Sequence, residues 1–106
     1  MWRTGQYVTL GWLSVSHGFT AEVMARQGFD ALCIDLQHGT AEMNDVGPLL
    51  QAISQTETVP VVRVAWNEPA AIMKALDLVG HPNASSITRG GRARVCVAPR
   101  SRPAVP

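Results

Sequence analysis

The residues best placed to do chemistry are Asp35, Gln37 and His38, which follow the apolar run Ala31 to Ile34 and are closed off by Gly39. A carboxylate three residues before a histidine at a strand end can accept a hydrogen bond from one ring nitrogen. That contact fixes the tautomer and raises the basicity of the other nitrogen, so His38 would move a proton and Asp35 would orient it. The plainer alternative is that Asp35 caps a loop and His38 is a hydrogen-bonded turn residue. Arg63 is the second candidate, a lone cation among Val61, Val62 and Val64. Burying a guanidinium without an anion is costly, so Arg63 requires either a structural acidic partner or the carboxylate or enolate of a substrate.

These side chains need elements to hold them. Val8 to Val15 is expected as a first strand, followed by a helix over Ala21 to Gln27 with Thr20 as its cap, Glu22 in its first turn and Gly28 as its stop. After the second strand, Asn44 is expected to cap a helix whose Val46, Leu49, Leu50 and Ile53 follow i, i+3, i+4, i+7 spacing, with Pro48 in the first turn. Val59 to Val64 reads as a third strand. Asn67 and Glu68 then precede Pro69, and Ile72, Met73, Ala75, Leu76 and Val79 form the apolar face of a third helix. This β-α-β-α-β-α rhythm, with right-handed crossovers, makes the strands parallel and gathers their C-terminal ends on one edge. Asp35, His38 and Arg63 should converge there.

The composition is that of one small globular domain: 106 residues, 46% hydrophobic and 16% charged. The net charge of +1 hides an asymmetry. Residues 1–80 carry all eight acids against Arg3, Arg26, Arg63 and Lys74, whereas residues 81–106 carry five arginines and no acid. Cys33 and Cys96 have neither disulfide-framework nor zinc-ligand spacing, so Cys33 is expected to be a reduced core residue. There is no apolar run of the roughly 18 residues a membrane span needs and no export signal, so the expected location is cytoplasmic. Residues 80–106, rich in arginine, proline and serine, are expected to be an unstructured tail. A nucleic-acid-binding arm is the other reading of that stretch, but it lacks an aromatic for base stacking.

Four blocks together resemble the HpcH/HpaI aldolases over roughly residues 5–79: Gly28-Phe29-Asp30; Ile34-Asp35-Leu36-Gln37-His38-Gly39; Val59-Pro60-Val61-Val62-Arg63-Val64 with Trp66-Asn67-Glu68-Pro69; and Ile72-Met73-Lys74-Ala75-Leu76-Asp77-Leu78. These are metal-dependent class II pyruvate aldolases, and include 4-hydroxy-2-oxoheptanedioate and 2-keto-3-deoxy-sugar-acid aldolases. The resemblance implies the first three β-α units of a (β/α)8 TIM barrel, an incomplete barrel followed by a disordered tail, with the active site at the C-terminal face. It implies His38 as catalytic base, Asp35 as its partner, and Arg63 as the residue that binds the pyruvyl oxygen and stabilises the enolate. Gln37 stands at a substrate-binding position where many members have glutamate.

The implied reaction is retro-aldol cleavage of a 4-hydroxy-2-oxo acid to pyruvate and an aldehyde, with Mg, Mn or Co as the divalent metal. The metal's ligands in the family are a glutamate and an aspartate on later strands, which this chain lacks. The resemblance also implies a homo-hexamer for the full-length protein. It breaks off at Asp77-Leu78-Val79-Gly80, where the family continues into a fourth strand ending in an apolar-proline pair, so the chain is expected to be truncated and inactive by itself. A reading-frame shift or a natural tail would look alike here. The alternative from another class is a non-catalytic binding or assembly module with a basic tail.

Overall fold

Alternation along one strand fixes which way the sheet faces. In Val59–Val64, Pro60, Val62 and Val64 are buried, whereas Val59, Val61 and Arg63 on the opposite face are half-buried. The computed structural model describes residues 4–80 and 94–97. Its elements are β1 (Leu10–Leu13), α1 (Gly18–Ala25), β2 (Ala31–Asp35), α2 (Met43–Ser54), β3 (Val59–Val64), α3 (Pro69–Gly80) and β4 (Arg94–Val97). The sheet has the order β1-β2-β3-β4, and every neighbouring pair is parallel. The expected β-α-β-α-β-α succession is present.

Register carries the two faces across the sheet, because in-register neighbours on parallel strands project to the same side. Trp12 pairs with Cys33, Cys33 with Val61, and Asp35 with Arg63. Leu13, Ile34 and Val62 form the matching row on the other face. That second face is the core. Leu13, Leu32, Ile34, Val62 and Val64 pack with Ala21 and Ala25 of α1, Val46, Leu49, Leu50 and Ile53 of α2, and Ala75 of α3. Burying each such Val, Leu or Ile side chain contributes about 1.5–3 kcal/mol.

Helix ends differ from the expected caps. α1 begins before Thr20, and its cap is His17, whose Nδ1 accepts the Phe19 N–H at 3.2 Å. Thr20 therefore lies inside the helix, while Gly28 supplies the expected stop with φ +92°. α2 begins at Met43, so Asn44 is helical rather than a cap. Asp45 reaches back to accept the Glu42 N–H at 2.8 Å, one half of a capping box. Pro48 consequently falls in the second turn, on the exposed side, where water can replace the missing N–H donor. Pro69 opens α3 as expected.

The larger correction lies in the stretch expected to be an unstructured tail. Arg94–Val97 is a fourth parallel strand beside β3, with Val62 opposite Val95 and Arg63 opposite Cys96. The short apolar run Val95-Cys96-Val97 is bracketed by arginine and proline, which masked it among turn formers, yet β3 offers it an open edge to pair with. The sheet therefore has four described strands, not three. The rest of the expected tail, residues 81–93 and 98–106, lies outside the described residues.

Candidate active site at the C-terminal edge of the sheet

Asp35 is the last residue of β2 and one of the most deeply buried side chains, at 1% exposure. A buried carboxylate persists only if its lone pairs are satisfied. Arg63 donates to it side-on, Nε to Oδ1 at 2.9 Å and Nη2 to Oδ2 at 2.7 Å. The Trp12 indole Nε1–H donates to Oδ2 at 2.9 Å. The main-chain N–H groups of Gln37 and His38 donate to Oδ1 at 2.9 and 3.3 Å. Five donors from three segments thus converge on two oxygens. The Arg63 guanidinium, more than any other neighbour, holds the Asp35 carboxyl far below the usual carboxylate range, and the Trp12, Gln37 and His38 donors add to this against the opposing effect of burial.

Asp35 and Arg63 are brought together as register partners at the strand ends. The Arg63 Cζ also lies over the Trp12 ring, 4.8 Å from its centroid. Its side chain keeps 19% of its surface exposed, against 2% for Asp35, so the guanidinium, not the carboxylate, is what the site presents outward.

His38 is on the same edge, in the loop after β2, and is exposed. Asp35 meets it through the main-chain N–H rather than through the imidazole. The ring-to-carboxylate hydrogen bond expected from the sequence is therefore not the contact formed: stronger and closer donors already occupy both carboxylate oxygens. Gln37, half-buried, is likewise bound through its main chain. What fixes this loop is its attachment to the end of β1. Thr40 N–H donates to the Ser14 carbonyl at 2.8 Å, the Thr40 hydroxyl donates to the same oxygen at 3.2 Å, and the Ser16 N–H donates to Thr40 Oγ1 at 3.3 Å. Gly39 permits the approach, since a Cβ there would sit 2.7 Å from the Ser14 carbonyl oxygen and 2.8 Å from that of Asp35.

Trp12 is the member that sequence reasoning missed. The available signal was strand alternation: Leu10 and Trp12 share the face opposite Gly11 and Leu13, and an indole N–H at the sheet surface needs an acceptor. For metal binding, the residues present do not fit. Among the described residues no three His, Cys, Asp or Glu side chains gather as a metal site, and both Asp35 oxygens are taken by other donors.

No family model matches the chain. Individual relatives do. A hydroxypyruvate/pyruvate aldolase of Rhizorhabdus wittichii is 40% identical over 76 residues, covering 72% of this chain and 30% of that protein. A 4-hydroxy-2-oxo-heptane-1,7-dioate aldolase of Escherichia coli is 42% identical over 67 residues, covering 63% of this chain and 26% of that protein. The crystal structure of an HpcH/HpaI aldolase/citrate lyase family protein from Burkholderia cenocepacia superposes with a TM-score of 0.63 at 39% identity, over 67% of this chain and 29% of that one. The chain thus spans less than a third of the length of the relatives it matches. With identity of this order and the same arrangement of strands and helices, the matched residues are similar in sequence and fold to part of the HpcH/HpaI-type aldolases.

Proposed function

We propose that this chain supplies one wall of an aldolase site that cleaves a 4-hydroxy-2-oxo acid to pyruvate and an aldehyde, with Arg63 as anion clamp and His38 as base. The observation that supports it is the side-on pairing of Arg63 with a buried Asp35 at the C-terminal strand edge. A guanidinium held in this way has a fixed plane, which suits recognition of a planar 2-oxo carboxylate.

In the proposed step His38 takes the proton of the 4-hydroxyl. The O–H electron pair forms the aldehyde C=O, the C3–C4 bond breaks, and its electrons become the C2=C3 bond of an enolate whose charge rests on the C2 oxygen. Arg63 stabilises that oxygen, an interaction stronger in the transition state than with the ground-state ketone. Protonation at C3 gives pyruvate. Asp35 takes no proton in this scheme; it orients Arg63 and anchors the main chain on which His38 is carried. Gln37 is assigned to substrate binding through its amide. Mg, Mn or Co is the metal type the family reading implies for the whole protein, but the described residues do not house it. A homo-hexamer belongs to the same family reading of the whole protein, and a cytoplasmic location to the reading of the sequence; no helix among the described residues is long and apolar enough to cross a membrane.

The test is pyruvate release from a family barrel in which residues 1–79 of this chain replace the corresponding portion, assayed with added divalent metal. Activity is expected. His38→Ala should lower it by about 10²–10⁴-fold, the usual share of a general base. Undiminished turnover in His38→Ala would remove His38 from the mechanism.

A further inference from the structure

We propose that Trp12 is a positioning residue for Arg63, holding the guanidinium in one plane by two separate contacts. The first is indirect: the indole Nε1–H donates at 2.9 Å to Asp35 Oδ2, the same oxygen that accepts Arg63 Nη2 at 2.7 Å. The second is direct, with Arg63 Cζ 4.8 Å from the centroid of the ring. Asp35 grips one edge of the guanidinium, and those two hydrogen bonds lie along one line about which the plane could turn. A ring against its face removes that pivot.

The sheet explains why one side chain can do both. Trp12 lies on the row of Cys33 and Val61, one step below the row of Asp35 and Arg63 on the same face. An indole is long enough to rise to that next row and wide enough to offer its N–H to the carboxylate and its face to the cation. Trp12 remains 43% exposed, so it is not a core residue retained for packing.

The proposal rests on Arg63 as the 2-oxo-acid clamp, and the experiment separates the two ideas. In the full chain labelled with ¹⁵N, the side-chain Nε–H of Arg63 is followed by NMR with and without pyruvate. The Arg63 side-chain protons should be shifted upfield by the ring current of Trp12. Trp12→Leu should speed exchange of the Nε–H with water at least tenfold and weaken pyruvate binding by about tenfold; Trp12→Phe, which keeps a ring and loses the N–H, should weaken it by about threefold. Side-chain shifts of Arg63 at unperturbed values in the wild-type chain would overturn the proposal, as would unchanged Nε–H exchange in Trp12→Leu. If pyruvate leaves the wild-type Arg63 signal unmoved while Trp12→Leu still loosens it, the substrate reading fails and the positioning role stands. Should Trp12→Leu lose its folded amide spectrum, the wild-type ring-current shift and Trp12→Phe decide the matter.

Discussion

Strand β2 has an aspartate at each end, and the two are used differently. Before its first residue, Asp30 accepts the Thr9 N–H at 2.8 Å and the Thr9 hydroxyl at 3.0 Å, and Thr9 Oγ1 accepts the Asp30 N–H at 3.1 Å. These bonds lower the carboxyl pKa, the main-chain donor of Thr9 most of all. The arrangement staples β1 to β2 with neutral partners near the surface. At the other end Asp35 is buried, and its partners are a cation, an indole and two loop N–H groups. A staple needs one neutral donor; a site needs a charged group aimed outward. On the proposed function, the pairing at the N-terminal edge is assigned to stability and that at the C-terminal edge to fixing Arg63, the edge where barrel enzymes place their chemistry.

Removing the buried charge should have the largest effect. Asp35→Ala leaves Arg63 without its counter-ion and should destabilise the chain by about 3–5 kcal/mol in urea unfolding. Asp35→Leu combined with Arg63→Met should recover most of that loss, because the desolvation cost of both ions disappears with them. A double variant as unstable as the single one would mean that the pair's value lies in shape rather than charge. Gly39→Ala comes next. Its Cβ would press on the Ser14 and Asp35 carbonyls, so a loss of about 1–3 kcal/mol is expected, together with chemical-shift changes at His38. Asp30→Ala should cost less than either and leave the Arg63 side-chain signals unmoved.

Acid should distinguish the two ends by the extent of the loss. Both carboxyls have a lower pKa folded than unfolded, so below about pH 4 the unfolded chain binds more protons than the folded one. The stabilisation is complete above that pH and drains away as pH falls, over a wide range for Asp35, whose folded value lies far down, and with the same sign for Asp30. Urea midpoints measured from pH 6 down to pH 2 should fall steeply in the wild type and much less in the Asp35→Leu, Arg63→Met variant.

The strand-helix alternation and the placement of Asp35 and Arg63 at strand ends follow from local pattern: short apolar runs, the proline that opens α3, and polar residues where apolar runs stop. What escaped depends on pairing. Trp12 is 23 residues from Asp35, and only the β1–β2 register brings its indole to the carboxylate. Sequence proximity points to the His38 ring as the partner of Asp35, whereas the sheet supplies Arg63 from 28 residues away with a better geometry. Thr20 is the commoner residue type for a cap, yet the His17 ring supplies an acceptor nitrogen within reach of the Phe19 N–H. β4 escaped because four residues carry too little periodicity to stand out; the waiting edge of β3 makes it a strand.

On the proposed function, a division between stability and catalysis runs along β2. It is tested most directly by pyruvate release from the barrel graft carrying residues 1–79, comparing Asp30→Ala with Arg63→Ala at equal concentrations of folded protein. Arg63→Ala should reduce kcat/KM by about 10²-fold or more, the scale of losing one oxyanion-stabilising donor, while Asp30→Ala should stay within a few-fold of the unsubstituted graft. Equal losses in the two variants, or full activity in Arg63→Ala, would contradict the division.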